Sequence, residues 1–262
     1  MKIHANGARI AYRYDGVKGA PVVVLAHCLA TSRKIWGYQL PLLTERYAVL
    51  RYDLRGHGKS GAPKEPYTLE KMADDAAALL QHLGIEKVRF VGLSIGGMIA
   101  QMMALRHPAK VEAIAICSST SRIDANGRKM WDDRIDAVLA GGIETQVEPT
   151  IGRWFTPGFV QSAPITVDWV RGLIRRTPAH GFIGSGRAIQ GLDLTEKLAG
   201  IKTKVLVMPG ELDQGTPVAA SEAIRSRIPG AKMVVLKGAA HVGNVERPNE
   251  FNEALMGFLA SV

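Results

Sequence analysis

Apolar residues along the chain fall into two alternating patterns. Short runs rich in β-branched residues, at Val22 to Ala26, Tyr47 to Tyr52, Val88 to Val91, Val111 to Cys117 and Lys204 to Met208, predict strands buried on both faces of a mainly parallel sheet. Between them, apolar positions recur at helical spacing. Met72, Ala76, Leu79, Leu80 and Leu83 share one face of a helix predicted over Leu69 to Leu83, with Gly84 as its stop. Ile35, Trp36, Leu40, Leu42 and Leu43 predict a helix before the Tyr47 strand, and Met98 to Arg106 another, closed by His107-Pro108. Asn6-Gly7 between short alternating segments predicts a hairpin over Ile3 to Tyr14, forming an antiparallel edge. Towards the C-terminus, Thr216-Pro217 reads as N-cap and first position of a helix through about Arg227. Lys232 to Leu236 reads as the last strand and Pro248 to Leu259 as the last helix.

This rhythm breaks between Ser118 and about Leu192. The interval holds Trp131, Trp154 and Trp169, three of the four tryptophans, and is interrupted at Gly141-Gly142, Pro149, Pro157-Gly158, Pro164 and Pro178. A single α/β domain is therefore expected, with a core of residues 1–118 and 193–262 and an inserted, mostly helical cap over about 119–192.

Composition narrows the function without naming it. With 47% hydrophobic and 22% charged residues in 262, the chain has the profile of an ordinary globular protein. A net charge of +9 invites a nucleic-acid partner, but the basic residues are scattered and form no block, so none is expected. A mild positive field is compatible with an anionic small molecule. No run of eighteen apolar residues and no apolar signal core at Met1 to His4 leads to the expectation of a cytoplasmic protein with no membrane partner. Cys28 and Cys117, at the ends of apolar runs, read as buried free thiols, and neither a metal site nor a cofactor is expected.

The chemistry centres on Gly92-Leu93-Ser94-Ile95-Gly96, which joins a predicted strand to a predicted helix. A serine on so sharp a turn sits in strained backbone, tolerable when its neighbours lack side chains. Alone, this pattern is weak. Three further observations support it. The loop after the Val22 strand, His27-Cys28-Leu29, can supply the Leu29 amide as an oxyanion donor beside that of Ile95. Asp213 follows the strand after the cap, and His241 follows the next, giving the order serine, acid, histidine at one edge of a parallel sheet. Glu211 and Asp124 compete with Asp213 for the acid; His27, His57 and His107 compete with His241 for the base. His27 and His57 lie in tight loops and read as backbone-orienting, and His107 sits at a helix end. Cys28 reads as a small packed residue rather than a catalytic thiol.

The chain resembles the α/β-hydrolase family along nearly its whole length. The resemblance rests on His27-Cys28-Leu29, Asp53-Leu54-Arg55-Gly56-His57-Gly58-Lys59-Ser60, Gly92-Leu93-Ser94-Ile95-Gly96-Gly97, Gly210-Glu211-Leu212-Asp213 and Ala240 to Glu246. The first of these departs from the family's usual His-Gly pair. Within the family, Cys117 to Ile123, Arg153-Trp154-Phe155-Thr156 and His241 to Glu246 are most similar to the 3-oxoadipate enol-lactonases. The resemblance implies an eight-stranded sheet flanked by helices and a triad of Ser94, Asp213 and His241. It also implies an acyl-enzyme hydrolysis of a small ester or lactone that carries a carboxylate. Arg122, Arg128, Arg134 and Arg153 are candidates to meet that charge, with Trp131 and Trp154 as pocket walls. Alternatives are a carboxylesterase, perhydrolase or C–C bond hydrolase on a neutral or aromatic substrate, or a ligand-binding receptor on the same fold. Ser94 argues against the family's dehalogenases, which use an aspartate nucleophile.

Overall fold

Five residues, Val22–Ala26, form a strand (β3) at the heart of the sheet because each can be buried whichever way it points. The computed structural model describes all 262 residues. The other strands are β1 (Lys2–Ala5), β2 (Ala8–Gly16), β4 (Ala48–Tyr52), β5 (Val88–Leu93), β6 (Val111–Cys117), β7 (Lys204–Met208) and β8 (Lys232–Met233). They form one sheet in the order β1-β2-β4-β3-β5-β6-β7-β8, as the resemblance implies. The β1–β2 hairpin pairs antiparallel and joins β4 antiparallel; from β4 to β8 all pairs are parallel. Asn6 and Gly7 both have positive φ, 47° and 75°, which the two-residue turn requires.

Helices cover both faces: α1 (Leu40–Thr44), α2 (Leu69–His82) and α3 (Ile95–Arg106) come before β6. Between β6 and β7 the chain makes a helical excursion, α4 (Ala125–Gly141), α5 (Val147–Trp154), α6 (Pro157–Ser162), α7 (Pro164–Arg175) and α8 (Ala179–Gln190). A bridge between Arg122 and Asp193 brings the two ends of that excursion together. The chain closes with α9 (Val218–Arg225), α10 (Gly243–Glu246) and α11 (Pro248–Ala260). No helix is long and apolar enough to cross a membrane.

Three sequence expectations are corrected. The helix expected around Ile35 to Leu43 is two pieces, a 3₁₀ turn at Arg33–Trp36 and the five-residue α1, because Gly37 and Pro41 interrupt it. The last strand pairs regularly only at Lys232–Met233 and regains the sheet at Leu236, opposite Gly210. It is a short edge strand, with Val234 exposed. Thr216 is not an N-cap: α9 begins at Val218 after Pro217, with no side-chain cap, and the Thr216 hydroxyl donates to Asp213 instead.

Candidate active site

The turn from β5 into α3 is held by two close approaches. A Cβ on Gly92 would lie 2.0 Å from the Gly96 carbonyl oxygen, and one on Gly96 would lie 2.2 Å from that of Ala26 in β3. Neither position admits a side chain without displacing backbone, which lets Ser94 occupy φ 57°, ψ −116°. The Ser94 amide donates to the Cys117 carbonyl at 2.8 Å, and the Ser119 hydroxyl donates to the Ser94 carbonyl at 2.8 Å. The strained turn is thus tied to β6 and the loop after it. Gly96→Ala is expected to lower stability by about 3 kcal/mol and Tm by on the order of 10 °C. Gly257→Ala, where a Cβ meets nothing within 4 Å in α11, is expected to hold or raise Tm in the same thermal melt.

The loop after β3 is fixed by two buried histidines. His27 Nε2 accepts from the Leu54 N–H at 3.0 Å and His57 Nε2 accepts from the Ala30 N–H at 3.0 Å. Their Nδ1–H groups donate to the carbonyls of Cys28 and Arg55, at 2.8 and 3.0 Å. Burial pulls their pKa values down to about 4 and about 3, so both are neutral and each keeps a lone pair for its backbone donor. Ala30 adopts a positive φ of 55° here. The Leu29 amide meets no protein acceptor, and Leu29 lines the cavity described below. Ile95 is the first residue of α3, where helical N–H groups have no intrahelical acceptor. Cys28 is buried and its thiol, pushed up to about 12 by burial, stays protonated against Thr31.

Of the three candidate acids, Asp213 is the one that touches His241. Its Oδ2 accepts the His241 Nδ1–H at 2.8 Å and the Thr216 hydroxyl at 2.7 Å. Its Oδ1 accepts the amides of Gly215 and Thr216 at 2.8 and 3.0 Å. Burial alone would raise the Asp213 pKa, but the His241 charge and these donors outweigh it, so the carboxyl is held below its usual range. Glu211 is exposed and accepts from the Gly238 amide and Lys237; Asp124 accepts the Gly127 amide as the N-cap of α4. His107 is bound to Asp74, away from this edge. With Nδ1 donating to Asp213, the lone pair of His241 is left on Nε2.

Ser94 and His241 open into one cavity of about 480 Å³, with Leu29 at its wall and the helical excursion above. The His241 ring bonds to Asp213 and not to the Ser94 hydroxyl, and a contact between nucleophile and base commonly tightens when substrate binds. The Trp154 ring stacks beside His241, with centroids 6.1 Å apart and planes 25° apart. Trp131 forms another wall and carries the Arg134 guanidinium 4.2 Å above its ring. Arg134 Nε donates to Gln146, and the Phe182 ring, beside that of Trp131, has its centroid 5.3 Å from the guanidinium. Arg153 also lines the cavity, and one of its terminal nitrogens is buried without a hydrogen-bond partner. Burial and the neighbouring Arg153 charge pull the Arg134 pKa down to about 9, and burial lowers that of Arg153 as well. Arg122 is at the cavity's edge, mostly exposed and 3.9 Å from Asp193; Arg128 is turned to the Ile123 carbonyl outside the cavity.

Thr216 and Glu246 bond to the residues that hold His241, yet the sequence points to Thr216 only as a helix cap and to no contact for Glu246. Thr216 was hidden by a Thr-Pro pair that resembles a helix start. Glu246 stands within the His241 to Glu246 motif, but nothing in its local spacing says that its carboxylate turns back to that loop.

A family model for the alpha/beta hydrolase fold matches residues 21–248, and the chain belongs to that family. It is a hydrolase with relatives that cleave esters and lactones. One such relative, 3-oxoadipate enol-lactonase 2 of Acinetobacter baylyi, is 30% identical over 251 residues, covering 96% of this chain and 93% of the relative. The crystal structure of the enol-lactonase from Burkholderia xenovorans LB400 superposes with a TM-score of 0.96 at 33% identity, covering 99% of this chain and all of that one. A malate-bound thermophilic esterase from Thermogutta terrifontis superposes with a TM-score of 0.92 at 26% identity, covering 100% and 98%.

Proposed function

We propose that the protein is a serine hydrolase that opens a carboxylate-bearing lactone through an acyl-enzyme, with 3-oxoadipate enol-lactone as the substrate best supported. Ser94 Oγ attacks the lactone carbonyl while His241 Nε2 takes its proton and Asp213 holds the resulting imidazolium. The amides of Leu29 and Ile95 receive the oxyanion. The ring C–O bond then breaks, and the enol oxygen takes the proton from His241 and tautomerises to a ketone. Water attacks the acyl-enzyme with His241 again as base, releasing a second carboxylate and restoring the Ser94 hydroxyl. An enol is a good leaving group, so ring opening needs little acid assistance.

The observation that carries the substrate class is the pair Arg134 and Arg153: two partly buried guanidiniums without an acidic partner, in the cavity that holds Ser94 and His241. Desolvating two like charges side by side is unfavourable unless an anion joins them. A substrate carboxylate supplies that anion, and Trp131 and Trp154 give flat walls for a small ring. The malate-bound esterase and the two enol-lactonases are consistent with a small acid in this cavity. Arg134→Leu is expected to lower kcat/KM for the enol-lactone by about 10²-fold, matching loss of a charged hydrogen-bonded contact. It should leave p-nitrophenyl acetate hydrolysis within about twofold, since a neutral ester makes no such contact. Wild-type protein that hydrolyses both substrates with equal kcat/KM would reject the lactone and leave the esterase reading.

A further inference from the structure

Glu246 carries a buried carboxylate that the proposed chemistry does not use. One oxygen, Oε1, accepts the Thr156 N–H at 2.9 Å and the Thr156 hydroxyl at 2.6 Å. The other, Oε2, accepts the Ala240 N–H at 2.7 Å. Thr156 is the N-cap of α6, at the corner where α5 gives way to α6 in the helical excursion; Ala240 immediately precedes His241. Two more contacts join these pieces. The Val242 N–H, just after His241, donates to the Trp154 carbonyl at 3.2 Å, and the Trp154 ring lies against the His241 ring. His241 is therefore flanked on both sides by backbone amides whose acceptors are Glu246 and the α5–α6 corner.

No cation pairs with Glu246; three short donors offset its charge. A purely space-filling position would not favour a buried carboxylate, since burying one is costly unless every lone pair facing protein is used. We propose that Glu246 is a positioning residue that fixes the loop bearing His241 against the helical excursion, so that the base is aligned with Ser94 only when the α5–α6 corner is seated. The proposal rests on His241 acting as the base, which Asp213→Asn tests separately through the tautomer of its ring.

Glu246→Gln discriminates this role. An amide keeps one acceptor and presents a donor on the other side. Facing Thr156 with its oxygen preserves two of the three bonds, which leaves the NH₂ against the Ala240 N–H, donor against donor, one residue from His241. Misplacement of a base by a fraction of an ångström to one ångström costs up to about 10²-fold in rate. The expected result on p-nitrophenyl acetate, with active sites titrated by a fluorophosphonate, is a kcat per titrated site lower by about 10-fold or more and a KM within about twofold. Thr156→Val, which removes the hydroxyl's bond to Glu246 and the cap bond it accepts from the Phe159 N–H, should lose about threefold in kcat, and Thr156→Ser, which keeps both, should restore it. If Glu246 serves stability alone, Glu246→Gln and Thr156→Val lower Tm while kcat per titrated site stays at the wild-type value, and the proposal is overturned. Should Glu246→Gln not fold, the threonine pair decides: wild-type kcat in Thr156→Val overturns the proposal, and a loss rescued by serine sustains it.

Discussion

Replacing Ser94 by alanine is expected to lower kcat/KM for ester or lactone by about 10³-fold or more, with the fold intact. The effect is large because the hydroxyl is the proposed bond-forming atom, and no other nucleophile is at hand: the Cys28 thiol is buried, protonated and bound to Thr31. Stability should barely change. The Ser94 side chain makes no hydrogen bond, and the backbone strain at φ 57° is imposed by the approach of Gly92, Gly96 and β3, which alanine does not alter. Loss of the enol-lactone absorbance in a stopped assay measures the rate, and a thermal melt checks the fold. A residual rate above water is expected from the amides of Leu29 and Ile95, which the substitution leaves in place. Turnover at the wild-type rate would remove Ser94 from the mechanism.

The parallel strands and the turn at Ser94 were legible because their signals are local. A five-residue apolar run such as Val22–Ala26 can only be buried on both faces, and two glycines around a serine announce a sharp turn. Asp213 was legible for a topological reason: a loop after a parallel strand opens at the same edge as every other. The losses have one physical cause, that hydrogen bonds between distant segments leave no mark on spacing. Thr216 looked like a helix cap because Thr-Pro favours that use, yet its hydroxyl is drawn to the Asp213 carboxylate three residues away. Glu246 bonds across 90 residues to Thr156, beyond any periodicity. The arginines of the segment between β6 and β7 show the same limit. The sequence offered Arg122, Arg128, Arg134 and Arg153 alike; only packing turns Arg134 onto Trp131, beside Arg153, and sends Arg128 out to a carbonyl.

Asp213→Asn is expected to reduce kcat near neutral pH by about 10³- to 10⁴-fold while binding and fold persist. The local hydrogen bonds decide which way the new amide faces. Two backbone amides, Gly215 and Thr216, donate to Oδ1 at 2.8 and 3.0 Å, so the asparagine oxygen must stay there or leave both unpaired. The NH₂ group then replaces Oδ2 and points at the Thr216 hydroxyl and at His241 Nδ1. The hydroxyl rotates to accept. His241 accepts too, which puts its proton on Nε2, the atom that has to take one from Ser94. The base is present and correctly placed but in the wrong tautomer. Glu211→Gln, whose carboxylate binds the Gly238 amide and Lys237 at the exposed edge, should retain wild-type kcat. Asp124→Asn should as well, because asparagine caps α4 as aspartate does. Steady-state kinetics on the three variants therefore assigns the acid: a fall confined to Asp213→Asn supports the orientation argued for His241. An equal fall in Glu211→Gln or Asp124→Asn would move the acid to another loop and break the link between Thr216, Asp213 and the tautomer of the base.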